Sequence, residues 1–260
     1  RTPEARHHPL FRTPESVSKA AVIAIAGDRG LSGAYNSSVL RATERRLRDH
    51  RRDGHDVLLL TVGRKVGSYF RFRGQDISEA FTGMADRPSV EDARRVVAPV
   101  IEAYEAGDID QIDLIYTHFE SLGRQQVRTR TLVPIERTEE VERADGGDTA
   151  GRPEGFVVDY EYEPEPGELL SRLLPSWLQG EVLAALLSAS ASEYAARQRA
   201  MKAATDNADD LITTLTRVMN RARQESITTE IMEIVGGAEA LRGAGTERVS
   251  FETYEDPDAA

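Results

Sequence analysis

From Glu181 to Val235 the chain contains neither glycine nor proline, fifty-five residues in succession. An average globular helix has only about three turns. A helix from Ser176 to Leu241 would span roughly 100 Å at 1.5 Å per residue. That exceeds the width of a compact domain, so the segment is expected to reach outside the body of the protein and to be held by something there. Pro175 cannot continue a preceding helix, and Ser176 with Gln179 three residues later reads as a capping box, which predicts the start. Gly236-Gly237 predicts the stop, with a last partial turn through Leu241.

Apolar positions in this segment recur at steps of three and four. Val182, Leu186, Ala189, Ala196, Ala200 and Ala203 form the first half of a narrow seam, and Leu211, Leu215, Val218, Ala222, Ile227, Ile231 and Ile234 the second. Alanine in the first half allows a partner helix to approach closely. The second half carries Thr213, Thr214, Thr216, Asn220, Ser226, Thr228 and Thr229 where a freely solvated helix would carry Glu and Lys. Periodicity alone also allows a solvent-exposed coiled-coil arm.

The rest of the chain reads as strands alternating with helices. Ala20–Ala26, Val57–Val62, Ile112–His118, Gln126–Ile135 and Phe156–Tyr162 have strand character. Helices are expected from Gly33 to about Asp53, from Arg64 to Arg73, and from Pro88-Ser89 to about Ala106. Leu169–Leu174 reads as a short helix before the long one. Alternation of this kind predicts a mostly parallel α/β sheet of five strands with flanking helices. The expected organisation is a polar tail over 1–19, an α/β domain over 20–168 with an acidic loop at 136–155, the short and long helices over 169–241, and an acidic, disordered tail over 242–260.

Composition excludes several classes. With no cysteine in 260 residues, disulfides, thiol catalysis and thiolate metal sites are ruled out. The longest apolar run, Ala20–Ala26, is far short of a membrane span. Of the net charge of −11, Glu136–Glu168 holds −9, from twelve acidic residues against three arginines. The rest of the chain is close to balanced, so the basic footprint of a nucleic-acid binder is lacking.

Little catalytic chemistry is legible. Gly27, Gly30 and Gly33 lie between a strand and a helix, where phosphate loops sit, but G-x-x-G-x-x-G is neither the dinucleotide fingerprint nor a P-loop with its lysine. A tight turn is the plainer reading. The five histidines are scattered, His7, His8 and His50 in tail or basic-helix contexts. His118 stands alone at a strand end. The arginines at 41, 45, 46, 48, 51 and 52 read as a solvated helix face. No cofactor, metal or catalytic residue is therefore expected.

Two regions are not generic. Asp28-Arg-Gly-Leu-Ser-Gly-Ala-Tyr-Asn36 resembles the first strand-to-helix junction of the γ subunit of F-type ATP synthases. The stretches Ala191-Ser-Glu-Tyr-Ala-Ala-Arg-Gln-Arg-Ala-Met-Lys-Ala-Ala-Thr-Asp-Asn-Ala208 and Asn220-Arg-Ala-Arg-Gln-Glu-Ser-Ile-Thr-Thr-Glu-Ile-Met-Glu-Ile-Val-Gly-Gly-Ala238 resemble that family's C-terminal helix. The resemblance runs from about Ala20 to Leu241.

It implies a Rossmann-like domain that binds the small ε subunit and the c ring but no nucleotide. It also implies a C-terminal helix forming half of an antiparallel coiled coil in the axis of an αβ hexamer. Function would then be that of a central-stalk rotor, coupling proton-driven rotation to ATP synthesis without an active site of its own. Location would be peripheral, at the cytoplasmic face of a bacterial plasma membrane. By the family motif, Arg223, Gln224 and Thr228 fall where the shaft meets a β-subunit loop, and Arg221 and Glu230 join them as partner-binding residues. Gln224 and Thr228 share a helix face, and the planar fork of Arg223 suits a carboxylate on the partner.

Only nineteen residues precede the first strand, too few for the family's N-terminal helix, so the chain is expected to be a truncated or partial one. Without that partner the distal seam is expected to be marginally stable. Two other readings stay open: a γ-like adaptor that binds ε and the c ring without driving rotation, and an α/β nucleotide-binding enzyme using Gly27–Gly33.

Overall fold

The computed structural model describes residues 16–134 and 166–244. They fall into two compact units, one reaching to Lys202 and one from Ala203 onward.

The first unit is built in the order β1 (Lys19–Ile25), α1 (Tyr35–Arg52), β2 (Asp56–Val62), α2 (Arg64–Phe72), β3 (Glu79–Phe81), α3 (Val90–Glu105), β4 (Gln111–Phe119), β5 (Gln125–Val133) and the first half of α4 (Pro166–Ala244). The sheet order is β3-β2-β1-β4-β5. The first four strands are mutually parallel, and β5 returns antiparallel along β4. This is the predicted α/β architecture.

β1 is a continuous apolar run because helices cover both of its faces. Ala21, Ile23 and Ile25 point into a core with α3 and α4, through Val96, Val100, Tyr104, Leu178, Val182 and Leu186. Val22, Ala24 and Ala26 alternate to the opposite side, against Val39, Val66 and Phe70 of α1 and α2. α3 starts as its sequence dictates: Ser89 Oγ accepts the Asp92 N–H and Asp92 Oδ2 accepts the Ser89 N–H, a reciprocal capping box.

Several expectations need correction. Among the described residues the fifth strand is the short β3, which the apolar pattern did not mark. The strand expected at Phe156–Tyr162 lies outside the described residues, as do the acidic loop 136–155 and most of both tails. From the N-terminal tail only 16–19 is described; Ser18 donates through both N–H and Oγ to Asp110 Oδ2, and Lys19 already belongs to β1.

The long helix does not begin at Ser176. α4 is continuous from Pro166 through Pro175, absorbing the separate short helix, and it passes Gly236-Gly237 to end at Ala244. Ser176 is not a cap: its hydroxyl donates to the Arg172 carbonyl one turn back, at 2.9 Å. Leu174 and Leu178, either side of Pro175, are both buried in the core, and that anchorage holds the helix across a residue that would break an isolated one. At the other end Ala238–Arg242 consists of good helix formers with nothing that forces a turn, so the two glycines weaken the helix without ending it.

The second unit is the distal part of α4. Every described residue from Ala203 to Gly243 is exposed, apolar ones included.

Candidate functional site

In open α/β sheets the crevice beyond the strand carboxyl ends, where neighbouring strands run to opposite sides, is the usual ligand position. Here that point lies between β1 and β4, and side chains of α4 enter it. The apolar stretch of α4 ends at Ala189, and a polar stretch takes over. Ser188 Oγ accepts the Phe119 N–H at 2.8 Å, Ser190 donates to the Asp86 carbonyl and Ser192 to the Thr117 carbonyl, each at 3.2 Å. Arg199 bonds the Leu122 carbonyl and Gln125 Oε1.

Glu193 is the buried carboxylate of this stretch. It is 2% exposed, with its carboxylate where a side chain on residue 27 would start: a Cβ placed on Gly27 would lie 2.6 Å from Glu193 Cδ and Oε1. Burial raises its pKa, with Asp86 and Asp28 adding to the rise, while Arg197 one turn on forms a salt bridge and hydrogen bond that oppose it. Tyr35 is buried nearby, and burial followed by the charge of Glu193 raises its pKa as well.

The glycine loop is thus a socket. Gly27 N–H donates to Asn36 Oδ1 at 2.9 Å, and Gly27 O accepts the Lys65 N–H at 3.1 Å. The carboxylate of Asp28 accepts the N–H groups of Arg64 and Gly83, each at 3.0 Å. Asn36 Nδ2 donates to the Arg29 carbonyl and Ser32 Oγ. The segment Asp28–Asn36, which carries the family resemblance, therefore ties β1 to α1, α2 and the β3–α3 loop. A cavity of about 470 Å³ remains beside it, lined in part by Ser32, Tyr35, Thr117, Ser192 and Arg199.

His118 Nδ1 faces Ser188 Oγ at the long distance of 3.5 Å, and among the described residues no carboxylate is bonded to its ring. His50, read from sequence as part of a basic helix, is buried and bonded to Asp113. Among the described residues there is no group of three or more His, Asp and Glu side chains that could hold a metal ion.

The five residues proposed from the family motif all lie on the distal part of α4 and are exposed. Arg221 Nε pairs with Glu225 Oε1 at 2.8 Å, one turn along. Thr228 Oγ1 donates to the Gln224 carbonyl at 2.9 Å, placing Gln224 and Thr228 one turn apart on one face as expected. Thr229 does the same with Glu225. These internal bonds give the Thr228 and Thr229 hydroxyls partners inside the helix, at a slight cost to helix stability. Arg223, Gln224 and Glu230 present their side-chain groups to solvent. Around them Leu211, Leu215, Val218, Ile227, Ile231 and Ile234 are 45–72% exposed, an apolar stripe with no cover among the described residues of this unit.

Sequence reasoning missed Glu193 and Asp113, and gave Gly27 and His50 other roles. The available signal was a charged residue embedded in small or apolar neighbours, as in Ala191-Ser-Glu-Tyr-Ala195 and Gln111-Ile-Asp-Leu-Ile115.

A doubly wound sheet whose ligand crevice takes in side chains of its own long helix, with an exposed apolar stripe on the distal part of that helix, defines an α/β protein with a long helical extension. The model of the ATP synthase family matches residues 1–241. The ATP synthase gamma chain of Kineococcus radiotolerans is 44% identical over 243 residues, spanning 92% of this chain and 78% of that one. The gamma chain of Streptomyces coelicolor is 40% identical over 241 residues, with 91% and 77% covered. The chain belongs to the ATP synthase gamma-chain family.

Solved structures agree in fold. A chain of the Euglena gracilis mitochondrial ATP synthase, from a structure of OSCP, F1 and c ring, superposes with a TM-score of 0.65 at 18% identity, covering 98% of this chain and 86% of that one. A chain from the Tetrahymena thermophila mitochondrial central stalk and c ring gives 0.57 at 23% identity, with 78% and 84% covered.

Proposed function

We propose that this chain is the central-stalk rotor of a bacterial proton-translocating ATP synthase. It has no active site of its own; its body engages an ε subunit and a c ring, and its distal helix turns within a hexamer of α and β subunits at the cytoplasmic face of the plasma membrane. The observation that carries this reading is α4: one uninterrupted helix, anchored at one end in the core of an α/β body and bare along a long apolar stripe at the other. Such a stripe needs covering, and the names of the relatives supply the context in which it is covered.

The short and β-branched side chains of the distal part suit an element that must turn within a bearing, since they offer few deep knobs to interlock. A few directed bonds must still link it to the hexamer. Arg223 and Gln224 are placed for that, the first able to meet a carboxylate with two parallel N–H donors, and Arg221, Thr228 and Glu230 lie on the adjoining surface. The paired change Arg223→Ala with Gln224→Ala removes two side-chain hydrogen-bonding groups worth about 1 kcal/mol each. It should weaken association with the αβ hexamer by about tenfold or more. Unaltered assembly and unaltered ATP synthesis would count against these residues.

A further inference from the structure

We propose that Glu193 is the torque key of this protein: its buried carboxylate, seated against the backbone of Gly27, fixes the rotational setting of α4 on the α/β body. This deepens the rotor reading and rests on it. In a rotor, torque applied to the body must pass into α4 before it can reach the distal helix, so the joint between α4 and the sheet carries the load.

Two kinds of contact form that joint. Leu174, Leu178, Val182 and Leu186 are buried in a core of similar side chains. Such contacts resist separation but are non-directional, so they do little to stop a helix creeping about its own axis. From Ser188 on the contacts are directed. Among them Glu193 is distinguished by shape as well as bonding. Its carboxylate occupies space that exists only because residue 27 has no Cβ, with Arg197 paired to it and the buried Tyr35 near enough to feel its charge.

The socket cannot yield easily. Gly27 is fixed through both its N–H and its carbonyl, and Asp28 is bonded to two further backbone N–H groups. Turning α4 on the body would drag the buried carboxylate, with Arg197 carried along on the same helix, across this backbone, where the three atoms nearest an added Cβ at residue 27 already belong to Glu193. Small serine hydroxyls at 188, 190 and 192 could be exchanged for other partners or water; the Glu193–Gly27 fit has no such substitute.

The test uses the complete synthase reconstituted in vesicles, reading protons pumped per ATP hydrolysed. Glu193→Ala removes the key and Gly27→Ala fills the socket; each should lower that ratio at least fivefold in assembled complexes. Glu193→Gln, which keeps the shape, should stay within twofold of the wild type. The three atoms nearest the added Cβ at 27 all belong to Glu193. The double variant Gly27→Ala/Glu193→Ala should therefore be no worse than Glu193→Ala alone, a non-additivity that a general loss of stability would not produce.

Wild-type ratios in both single variants, or additive losses in the double variant, would overturn the proposal. If Gly27→Ala alone fails to assemble, recovery of assembly in the double variant supports the collision, and the ratio measured for Glu193→Ala decides the mechanical role. A wild-type chain that assembles but supports no pumping would refute the rotor reading instead.

Discussion

Arg46 and Asp113 form a two-pronged ion pair between α1 and the start of β4, with Nε to Oδ2 at 2.6 Å and Nη2 to Oδ1 at 3.1 Å. Asp113 has no solvent exposure, and four side chains converge on it: His50 Nε2 lies 2.7 Å from Oδ2, while Gln111 and Thr131 donate to Oδ1. His50 stands one helical turn after Arg46, and Thr131 is the β5 partner of Asp113 in the ladder. One carboxylate thus locks α1, β4 and β5 together.

Burial by itself would raise the pKa of Asp113, but hydrogen bonds from His50, Arg46 and Gln111, and the charge of Arg46, reverse that and hold it at about 2. The folded value lies below the unfolded one, so the stabilisation is fully present above about pH 4 and is lost as pH falls from there through about 2. The shift corresponds to about 2 kcal/mol. Asp113→Asn should flatten the acid limb of a urea-denaturation pH series between pH 4 and 2 and lower stability at pH 7 by about 3 kcal/mol, since Arg46 and His50 lose their anion. An acid limb identical to that of the parent would contradict this.

Gly63, between β2 and α2, adopts a positive φ of 101°, and a Cβ there would lie 2.1 Å from the Ala26 carbonyl oxygen. Both the left-handed conformation and the backbone collision act against any side chain. Gly63→Ala should cost about 2–5 kcal/mol, from backbone strain and overpacking together. Thermal unfolding of the variant measures it, and a Tm within two degrees of the parent would show that the β2–α2 turn relaxes.

Thr117 Oγ1 is buried and has no hydrogen-bond partner among the described residues. A buried hydroxyl without a partner costs more than an apolar group of the same shape. Thr117→Val is accordingly expected to be neutral or to stabilise by up to about 1 kcal/mol. A loss of stability of similar size would mean that an ordered water in the neighbouring cavity satisfies the hydroxyl.

What was legible in the sequence follows from how each element is stabilised. β1 could be read because a strand covered on both faces is almost wholly apolar, and β4 through its apolar Ile112, Leu114, Ile115 and Tyr116. α3 could be read because its cap is local, carried by Ser89 and Asp92. β3 escaped because a three-residue edge strand, Glu-Ala-Phe, is made by the register of β2 and not by its own pattern. The helix boundaries at Pro175 and Gly236 were misplaced because local propensity was given priority; burial of Leu174 and Leu178 overrode it at Pro175. Of the candidate sites, the distal one was reached through a motif alone, since exposed side chains leave no periodic trace of what they touch. The Gly27–Glu193 fit joins residues 166 positions apart, and no local pattern connects them.

The central claim is rotation, and it can be watched directly. The chain has no cysteine, so Asp108→Cys, at an exposed position after α3, gives a single attachment point for an optical probe on the body. In the complete complex, immobilised through its β subunits and supplied with ATP, the probe should turn continuously in one direction. ATP hydrolysis by the same immobilised complexes with the probe stationary would contradict the account.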